Sequence, residues 1–215
     1  MTFMRTIKQT APRAVLSLPA LAALLLAGCQ SSQPPAPAAQ PEGTPPVTLA
    51  APAAPTPAPP DPNKPQPIVR IKAGSTDPVK DSEGNTWLAD QGFRDGDTTT
   101  RPELKIANST SPSLYLSERY GMTSFSYPVR NGKYVVKLYF AETYEGITGP
   151  GQRVFSINVQ GHELKDFDIW AKAGGGARAY VESVPVEVTD GNVHITFTPS
   201  VENPEINGIE IIPQF

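Results

Sequence analysis

The stretch 133–140 reads Lys-Tyr-Val-Val-Lys-Leu-Tyr-Phe and decides the fold class. Its large apolar side chains at Tyr134, Val136, Leu138 and Phe140 recur at every second position. Successive side chains of a β-strand point to opposite faces, so a period of two indicates a strand with one buried face. The stretch is therefore predicted to be a half-buried strand.

The same period appears in other runs, which are separated by turn signals. Apolar side chains alternate at 155–159, 193–197 and 209–211, and no long run has the period of an amphipathic helix. Asn-Gly, Gln-Gly and Asp-Gly pairs separate these runs, and pairs of this kind favour tight hairpins. We therefore predict an all-β fold, a β-sandwich or jelly roll.

The N-terminal part of the chain has a different composition. Most of the 25 prolines among the 215 residues precede residue 70, and residues 30–67 contain almost no large apolar side chains. Such a segment cannot bury enough surface to fold, and its prolines favour an extended chain. We predict a disordered spacer that could instead serve as a docking segment, followed by one folded domain at 68–215.

Residues 1–28 have the features of an export signal. Basic residues precede an apolar stretch at 14–27, which is too short to cross a bilayer as a permanent helix. The segment ends Leu-Ala-Gly-Cys and resembles the bacterial lipobox, in which the cysteine receives lipid. This resemblance implies lipidation of Cys29, attachment to the membrane of the cell envelope, and the outer membrane if the cell has two. Residues 29–67 then comprise the lipid anchor and the linker.

Charge and cysteine content exclude several functional classes. The net charge of −3 does not suit a nucleic-acid backbone, so we expect no nucleic-acid partner. The single cysteine permits no intrachain disulfide, and one cysteine with two histidines does not make a structural zinc site. We therefore expect no cofactor and no metal, and separately we expect a monomer.

Signals for catalysis are weak. No motif of a serine hydrolase or zinc protease occurs, and His162 and His194 are expected at the surface. Asp166 and Asp168 are predicted to share one strand face, as a solvated pair or as an acid–base pair. A loop rich in acids at 77–83 could hold calcium, although its spacing is not that of an EF-hand.

Aromatic side chains near predicted strand ends suggest a different chemistry. Trp87, Phe93, Tyr115, Tyr120 and Tyr144 lie at strand ends or in loops. Aromatic rings beside acids and amides can stack on the C–H faces of sugars and bind their hydroxyls. The same rings could equally be core or rim packing, and composition does not separate the two interpretations.

Six sequence blocks in register resemble the malectin domain, a β-sandwich lectin module. They are Asp81-x-x-Gly84-x-x-Trp87-x-x-Asp90, Ser117-Glu118-Arg119-Tyr120, residues 139–144 (Tyr-Phe-Ala-Glu-Thr-Tyr), residues 151–155 (Gly-Gln-Arg-Val-Phe), residues 166–169 (Asp-Phe-Asp-Ile) and Glu202-Asn203-Pro204. The resemblance covers residues 68–212. It implies binding of short glucose oligosaccharides through tyrosines and one acid at an end of the sandwich.

Carried onto this sequence, the resemblance implies binding roles for Tyr120, Tyr144 and Glu202. It also contains two departures. Glu145 stands where the family's animal lectin has an aromatic ring. The first binding tyrosine of the family falls near Gln91 or Phe93, where this chain has no tyrosine. These six residues are the predicted carbohydrate site.

The sequence thus predicts a non-catalytic, carbohydrate-binding lipoprotein of the cell envelope. Its partner is expected to be a neutral oligosaccharide or polysaccharide, and the membrane is reached through the lipid on Cys29. The alternative is a module that binds a protein or cell-wall component on the same fold. A flat apolar surface patch would favour the alternative, and a concave ring cluster would favour sugar.

Overall fold

A computed structural model describes residues 64–214. The predicted signal segment, Cys29 and nearly all of the predicted linker lie outside the described residues, so those predictions remain predictions. The strands are, in chain order, β1 (Val69–Lys72), β2 (Val79–Lys80), β3 (Thr86–Trp87), β4 (Phe93–Arg94), β5 (Asp97–Thr100), β6 (Ser117–Tyr120), β7 (Ser124–Pro128), β8 (Gly132–Phe140), β9 (Val154–Val159), β10 (His162–Phe167), β11 (Tyr180–Val188), β12 (Asn192–Val201), β13 (Glu205–Ile206) and β14 (Gly208–Pro213).

The strands form two main sheets and two small ones. The four-stranded sheet has the order β1-β14-β8-β11, and the five-stranded sheet has the order β10-β9-β12-β7-β4. A three-stranded sheet, β13-β6-β5, and the pair β2-β3 complete the fold. Neighbouring strands in all four sheets run antiparallel. This architecture confirms the predicted all-β sandwich class.

The apolar positions of the long strands make the main core, as the period of two predicts. Tyr134, Val136, Leu138 and Phe140 of β8 are all buried, while the residues between them are partly exposed. The runs at 155–159 and 193–197 bury their alternate residues in the same way. The rings of Phe140, Phe155 and Phe167 meet there, with the centroids of Phe140 and Phe167 4.9 Å apart. These contacts hold the two main sheets together.

The register of the strands places several segment ends at one end of the sandwich. The last residue of β12, Val201, pairs with the first residue of β9, Val154. In the other main sheet, β8 ends at Phe140, which pairs with Tyr180 at the start of β11. The loop that joins β8 to β9 and the loop that follows β12 therefore extend from these strand ends. The candidate site is built from these loops.

The only α-helix within residues 64–214 is α1 (Ile169–Ala173). A β-bulge interrupts β10 after Leu164, and Asp166 adopts a positive φ of 50°. Asp168 follows the strand and caps the helix, where its Oδ1 accepts a hydrogen bond from the Ala171 amide at 3.0 Å. The prediction that Asp166 and Asp168 share one strand face was therefore wrong, because the bulge and the cap interrupt the alternation.

Within the described residues, no helix has the length and the apolar character that a membrane span requires.

Candidate functional site

A cavity of about 310 Å³ opens at the end of the sandwich described above. Its walls come from β5, β6 and the loops next to β8, β9 and β12. The lining residues are Thr99, Arg101, Glu118, Tyr120, Tyr144, Arg153, Glu202 and Asn203. The structure therefore brings together three of the six predicted site residues, Tyr120, Tyr144 and Glu202, from three distant segments.

One wall is set by the pairing of β5 with β6. Thr99 lies opposite Glu118 in this pair, so both residues present their side chains on the same face. Tyr120 is two residues beyond Glu118 and shares that face, because strand side chains alternate. The wall therefore offers a hydroxyl, a carboxylate and an aromatic ring in one row.

Tyr144 forms the opposite border and is the most exposed of the aromatic rings there. It lies four residues beyond the end of β8, and 45% of its surface is exposed. The ring packs over the backbone at Gly146, where an added Cβ would come within 2.5 Å of the Tyr144 Cε1 atom. The guanidinium carbon of Arg101 lies 6.0 Å from the ring centroid. These contacts hold the ring at the cavity mouth with one surface open.

Glu202 reaches the cavity from the turn between β12 and β13. Its backbone has a positive φ of 59°, a conformation that occurs in tight turns and that few residues other than glycine adopt. Its Oε1 accepts hydrogen bonds from the backbone amide of Asn203 at 3.1 Å and from the Asn203 side-chain amide at 3.3 Å. The main-chain carbonyl of Asn203 accepts a hydrogen bond from the Arg153 guanidinium. The turn is thus tied to the cavity floor.

Beneath the cavity lies a buried charged cluster, defined here as Arg101, Glu118, Glu142, Arg153 and Glu205. Arg101 lies 3.0 Å from Glu118 Oε1, and Arg153 Nε donates to Glu142 Oε2 at 2.6 Å. Apart from Arg101, all members of the cluster are nearly inaccessible to solvent. A buried charge is tolerated when it is paired and hydrogen-bonded, so these pairs fix the positions of the lining side chains.

Glu205 is the exception within this cluster. It is fully buried, and neither of its carboxylate oxygens accepts a hydrogen bond anywhere in the described residues. Burial raises the pKa of Glu205 well above its ordinary value, and the neighbouring Glu118 and Glu142 raise it further. Arg153 and Arg101 only partly oppose this shift. Glu205 therefore keeps its proton to a higher pH than an exposed glutamate would.

The remaining predicted site residues lie elsewhere. Glu145 borders a second cavity next to the first, whereas Phe93 and Gln91 line neither of the two. Phe93 packs against Phe125 at 5.0 Å between ring centroids and is covered by the Arg119 guanidinium. Gln91 donates a hydrogen bond to the carbonyl of Ala89 at 3.3 Å. Phe93 supports the fold next to β7, and neither residue reaches the cavity.

Two of the other aromatic candidates proved to be packing residues. Trp87 and Tyr115 are buried in a smaller apolar cluster together with Ile106 and Leu114. The indole Nε1 of Trp87 donates to Asp81 Oδ2 at 3.0 Å. Asp81 also accepts hydrogen bonds from the Glu83 and Asn85 amides, so its carboxylate is occupied within its own turn. No group of three metal-binding side chains occurs in the described chain.

Sequence reasoning missed five of the eight lining residues: Thr99, Arg101, Glu118, Arg153 and Asn203. One of them carried a local signal, because Glu118 is two positions before Tyr120 and must share its strand face. Arg101 has no such signal, and Arg153 and Asn203 stand in two of the blocks that resemble malectin but were given no binding role. Their contribution depends on how the segments pack, which a single sequence does not reveal.

Comparison with known proteins identifies the family. The sequence model of the malectin domain matches residues 67–209. This chain belongs to the malectin domain family. It is 32% identical over 161 residues to a probable leucine-rich repeat receptor-like serine/threonine-protein kinase of Arabidopsis thaliana. That match covers 61% of this chain but only 16% of the length of the kinase.

Solved structures show the same fold. A β-glucuronidase of Bacteroides uniformis aligns with a TM-score of 0.62 and 19% identity, covering 69% of this chain and 18% of the enzyme. The structure of the plant peptide RALF23 in complex with FER and LLG2 contains a chain that aligns with a TM-score of 0.60 and 18% identity. The alignment covers 69% of this chain and 49% of that chain. At these identities the likeness concerns the fold alone. The malectin domain is a non-catalytic binding module, and the match to the glucuronidase is a distant fold match.

Proposed function

We propose that this protein is a non-catalytic lipoprotein of the bacterial cell envelope that binds a neutral oligosaccharide in the cavity at the end of the sandwich. The observation that supports this proposal is the convergence of Tyr120, Tyr144 and Glu202 on one cavity. These residues come from positions far apart in the sequence, and the resemblance to malectin implied a binding role for each of them. The cavity volume of about 310 Å³ lies at the small end of the range typical of ligand sites.

The chemistry of the lining suits a sugar. Aromatic rings offer flat apolar faces to C–H groups, and the exposed ring of Tyr144 is placed to do so. Glu202 and Arg101 supply an acceptor and several donors for hydroxyl groups. The lining carries two arginines and two glutamates, so its formal charges balance and a neutral ligand is favoured over an ionic one. Because Glu118 and Arg153 are already paired with neighbours, the floor is preorganised before any ligand arrives.

The lining does not favour hydrolysis. A glycosidase of the common kind needs one carboxyl group that holds a proton and a second that is free to act. Glu118 is paired with Arg101 and accepts a hydrogen bond from Thr143 Oγ1 at 2.5 Å. Both carboxylate oxygens of Glu118 are therefore engaged by neighbours, which suits a structural part of a binding site.

In our proposal, a lipid on Cys29 and the proline-rich linker determine where the site lies relative to the membrane. An acylated cysteine with more than one chain would anchor the protein stably in the membrane. An extended linker would hold the domain away from the lipid surface, where it can meet polymers outside the cell. Cys29→Ala should therefore abolish labelling of the protein by a fatty-acid analogue in growing cells. Equal labelling of variant and wild type would contradict the anchor.

A glycan array probed with the full-length protein tests the binding function. The protein should be kept in a detergent without a sugar headgroup, because a glycosidic detergent would compete for the site. We expect neutral glycans to be retained by the wild type and lost by Tyr120→Ala. Binding that survives in Tyr120→Ala would place the glycan outside this cavity.

Binding of a protein or peptide is the second candidate function. One observation favours it, the likeness to the structure of FER in complex with the peptide RALF23. A separate groove of about 520 Å³ is larger than the proposed sugar cavity. It includes exposed or half-exposed apolar residues at Ile68, Val181 and Ile212. If peptides bind and glycans do not, variants at this groove should remove binding while Tyr120→Ala does not.

A further inference from the structure

A second cavity of about 400 Å³ adjoins the first. Arg101, Thr143, Tyr144 and Glu145 border it, and the segment 102–104 forms its remaining wall. Arg101 and Tyr144 belong to both cavities. A ligand longer than one sugar unit could therefore occupy both cavities while it contacts the same tyrosine.

The two cavities differ in chemistry. The first is lined by charged and amide side chains, with Tyr120 and Tyr144 at its borders. The second has an apolar wall made by Pro102, Leu104 and the ring of Tyr144. Pro102 is exposed and Leu104 is half-buried, so apolar surface remains open to solvent there. Burial of that surface by a ligand would be favourable, whereas a fully hydroxylated group would gain little from it.

The rim of the second cavity carries two acids. Glu103 and Glu145 are both exposed and both border the opening. A ligand that carries a carboxylate would be repelled there, with only Arg101 to oppose the repulsion. Arg101 opposes this repulsion only in part, because its positive charge is already paired with Glu118 through Nη1, which also donates to Thr143 Oγ1 at 2.9 Å. The second cavity thus disfavours an acidic sugar.

The border between the cavities is held in place. Thr143 links Arg101 to Glu118 by accepting a hydrogen bond from the first and donating one to the second. Tyr144 Cε1, Cζ and the hydroxyl lie against the backbone at Gly146, and the Arg101 guanidinium carbon lies 6.0 Å from the ring centroid. Two subsites with a fixed separation can select for the length of a ligand as well as for its chemistry.

We propose that the two cavities together bind a neutral glycan of at least two residues, and that the second residue carries a methyl-bearing group such as an N-acetyl, O-methyl or 6-deoxy group. The hydroxyl-rich end of the glycan occupies the polar cavity, and the methyl-bearing residue packs on Pro102, Leu104 and Tyr144. This proposal rests on the proposed function, because it assigns a second subsite to the same site.

The test uses a glycan array that presents each neutral di- and trisaccharide with and without N-acetyl, O-methyl or 6-deoxy groups. The full-length wild type is compared with Leu104→Ser, Pro102→Ser and Tyr120→Ala. Leu116→Ser is the matched control, because Leu116 is also half-buried against the smaller apolar cluster but borders neither cavity. Pro102 is exposed, so its variant remains informative if Leu104→Ser unfolds.

We expect the wild type to prefer the methyl-bearing glycans. Pro102→Ser and Leu104→Ser should reduce that preference by roughly four-fold for each methyl-sized group that loses its burial. Leu116→Ser should leave it unchanged, and Tyr120→Ala should weaken all binding.

Two results would overturn the inference in different ways. If glycans bind and Tyr120→Ala removes them, but methyl-bearing groups give no advantage or Pro102→Ser leaves that advantage intact, the second subsite is wrong and the proposed function stands. If the wild type retains no glycan on the array, the proposed function fails, and the second subsite fails with it.

Discussion

The main apolar core and the buried charged cluster lie largely out of water, but they stabilise the domain in different ways. In the core, side chains such as Ile157 and Ile195 are fully buried among other apolar groups. Each gains about 1.5–3 kcal/mol from burial, whichever apolar neighbour it meets. In the cluster, Arg153 and Glu142 lose their hydration and depend on each other. Burial costs several kcal/mol per ion unless the partner is present.

This difference separates the parts of the domain that make the fold from those that shape the site. Core residues can be exchanged for others of similar volume at modest cost, since apolar packing is not directional. The paired members of the charged cluster, unlike Glu205, cannot be exchanged singly, because each exchange would leave a charge without its partner. The cluster lies under the cavity and borders it through Arg101, Glu118 and Arg153. The site therefore has a floor that is costly to alter.

The largest effect should come from breaking the buried pair. Arg153→Met leaves Glu142 buried without its partner and removes the hydrogen bond to the Asn203 carbonyl. We expect the free energy of unfolding to fall by about 3–5 kcal/mol. Urea unfolding followed by circular dichroism measures it.

Lys165→Met provides the control for that change. Lys165 forms an exposed ion pair with Glu163 at 3.4 Å. Its loss should change the free energy of unfolding by less than about 0.5 kcal/mol. A similar loss in both variants would remove the contrast between buried and exposed charges in this domain.

Substitution of the tyrosines should affect binding more than folding. Tyr144→Ala and Tyr120→Ala are expected to weaken glycan binding by roughly 5–30-fold through the loss of stacking, about 1–2 kcal/mol each. Glu202→Gln should weaken binding as well, because an amide hydrogen-bonds sugar hydroxyls less strongly than a carboxylate. Titration calorimetry against a glycan identified on the array measures these affinities. Unchanged affinity in all three variants would favour the protein-binding alternative.

A smaller effect is expected when Tyr144 is displaced without being removed. A Cβ at position 146 would lie 2.5 Å from Tyr144 Cε1, so Gly146→Ala should shift the ring. Glycan affinity should fall several-fold, by less than in Tyr144→Ala. At Gly149 an added Cβ meets only the Gln152 side chain at 4.0 Å, so Gly149→Ala is the matched control. Equal affinities of the two alanine variants would show that the ring position does not matter.

The last expected effect has the opposite sign, a gain of stability. Glu205 has a pKa raised by burial, so its contribution to stability is present below the unfolded pKa near 4.5 and is lost as the pH rises through the folded pKa. Glu205→Gln removes this titration, and we expect the variant to gain stability over the wild type as the pH increases above 4.5. Unfolding curves from pH 4 to pH 9 measure the gain. A variant less stable than the wild type at pH 8 would show that the charged carboxylate pairs favourably with Arg153 or Arg101.

Local sequence determined the strands of this domain. Alternation of apolar residues in β8, β9 and β12 predicted which side chains face the core, because the period of a strand is a property of its own backbone. It failed where the backbone departs from that period. At Asp166 a bulge with positive φ interrupts the strand, and Asp168 becomes a helix cap instead of a strand residue.

Local sequence also does not report the full burial of β1. Val69 and Ile71 face the core as their alternation suggests, but Lys72 is buried as well. Its ammonium group donates to the carbonyls of Ser117 and Asn207, and burial lowers the pKa of Lys72 to about 7. These acceptors lie far along the chain, so no local pattern reports them.

The sequence likewise predicted only part of the candidate site. Sequence blocks similar to malectin suggested Tyr120, Tyr144 and Glu202, and the fold brings these three together. Phe93 and Gln91 were suggested from the same comparison and lie elsewhere, because the neighbouring Arg119 and Phe125 hold Phe93 against the sheet.

The sequence by itself determined the class of fold and the residue types available for recognition. Only the tertiary structure decided that Arg101 and Arg153 reach the cavity, that Glu205 is buried without a hydrogen-bond partner in the described chain, and that Tyr144 borders two cavities. The physical reason is the range of the forces involved. Backbone geometry and apolar alternation act between near neighbours in the chain, whereas ion pairs and cavity walls join segments that only folding brings together.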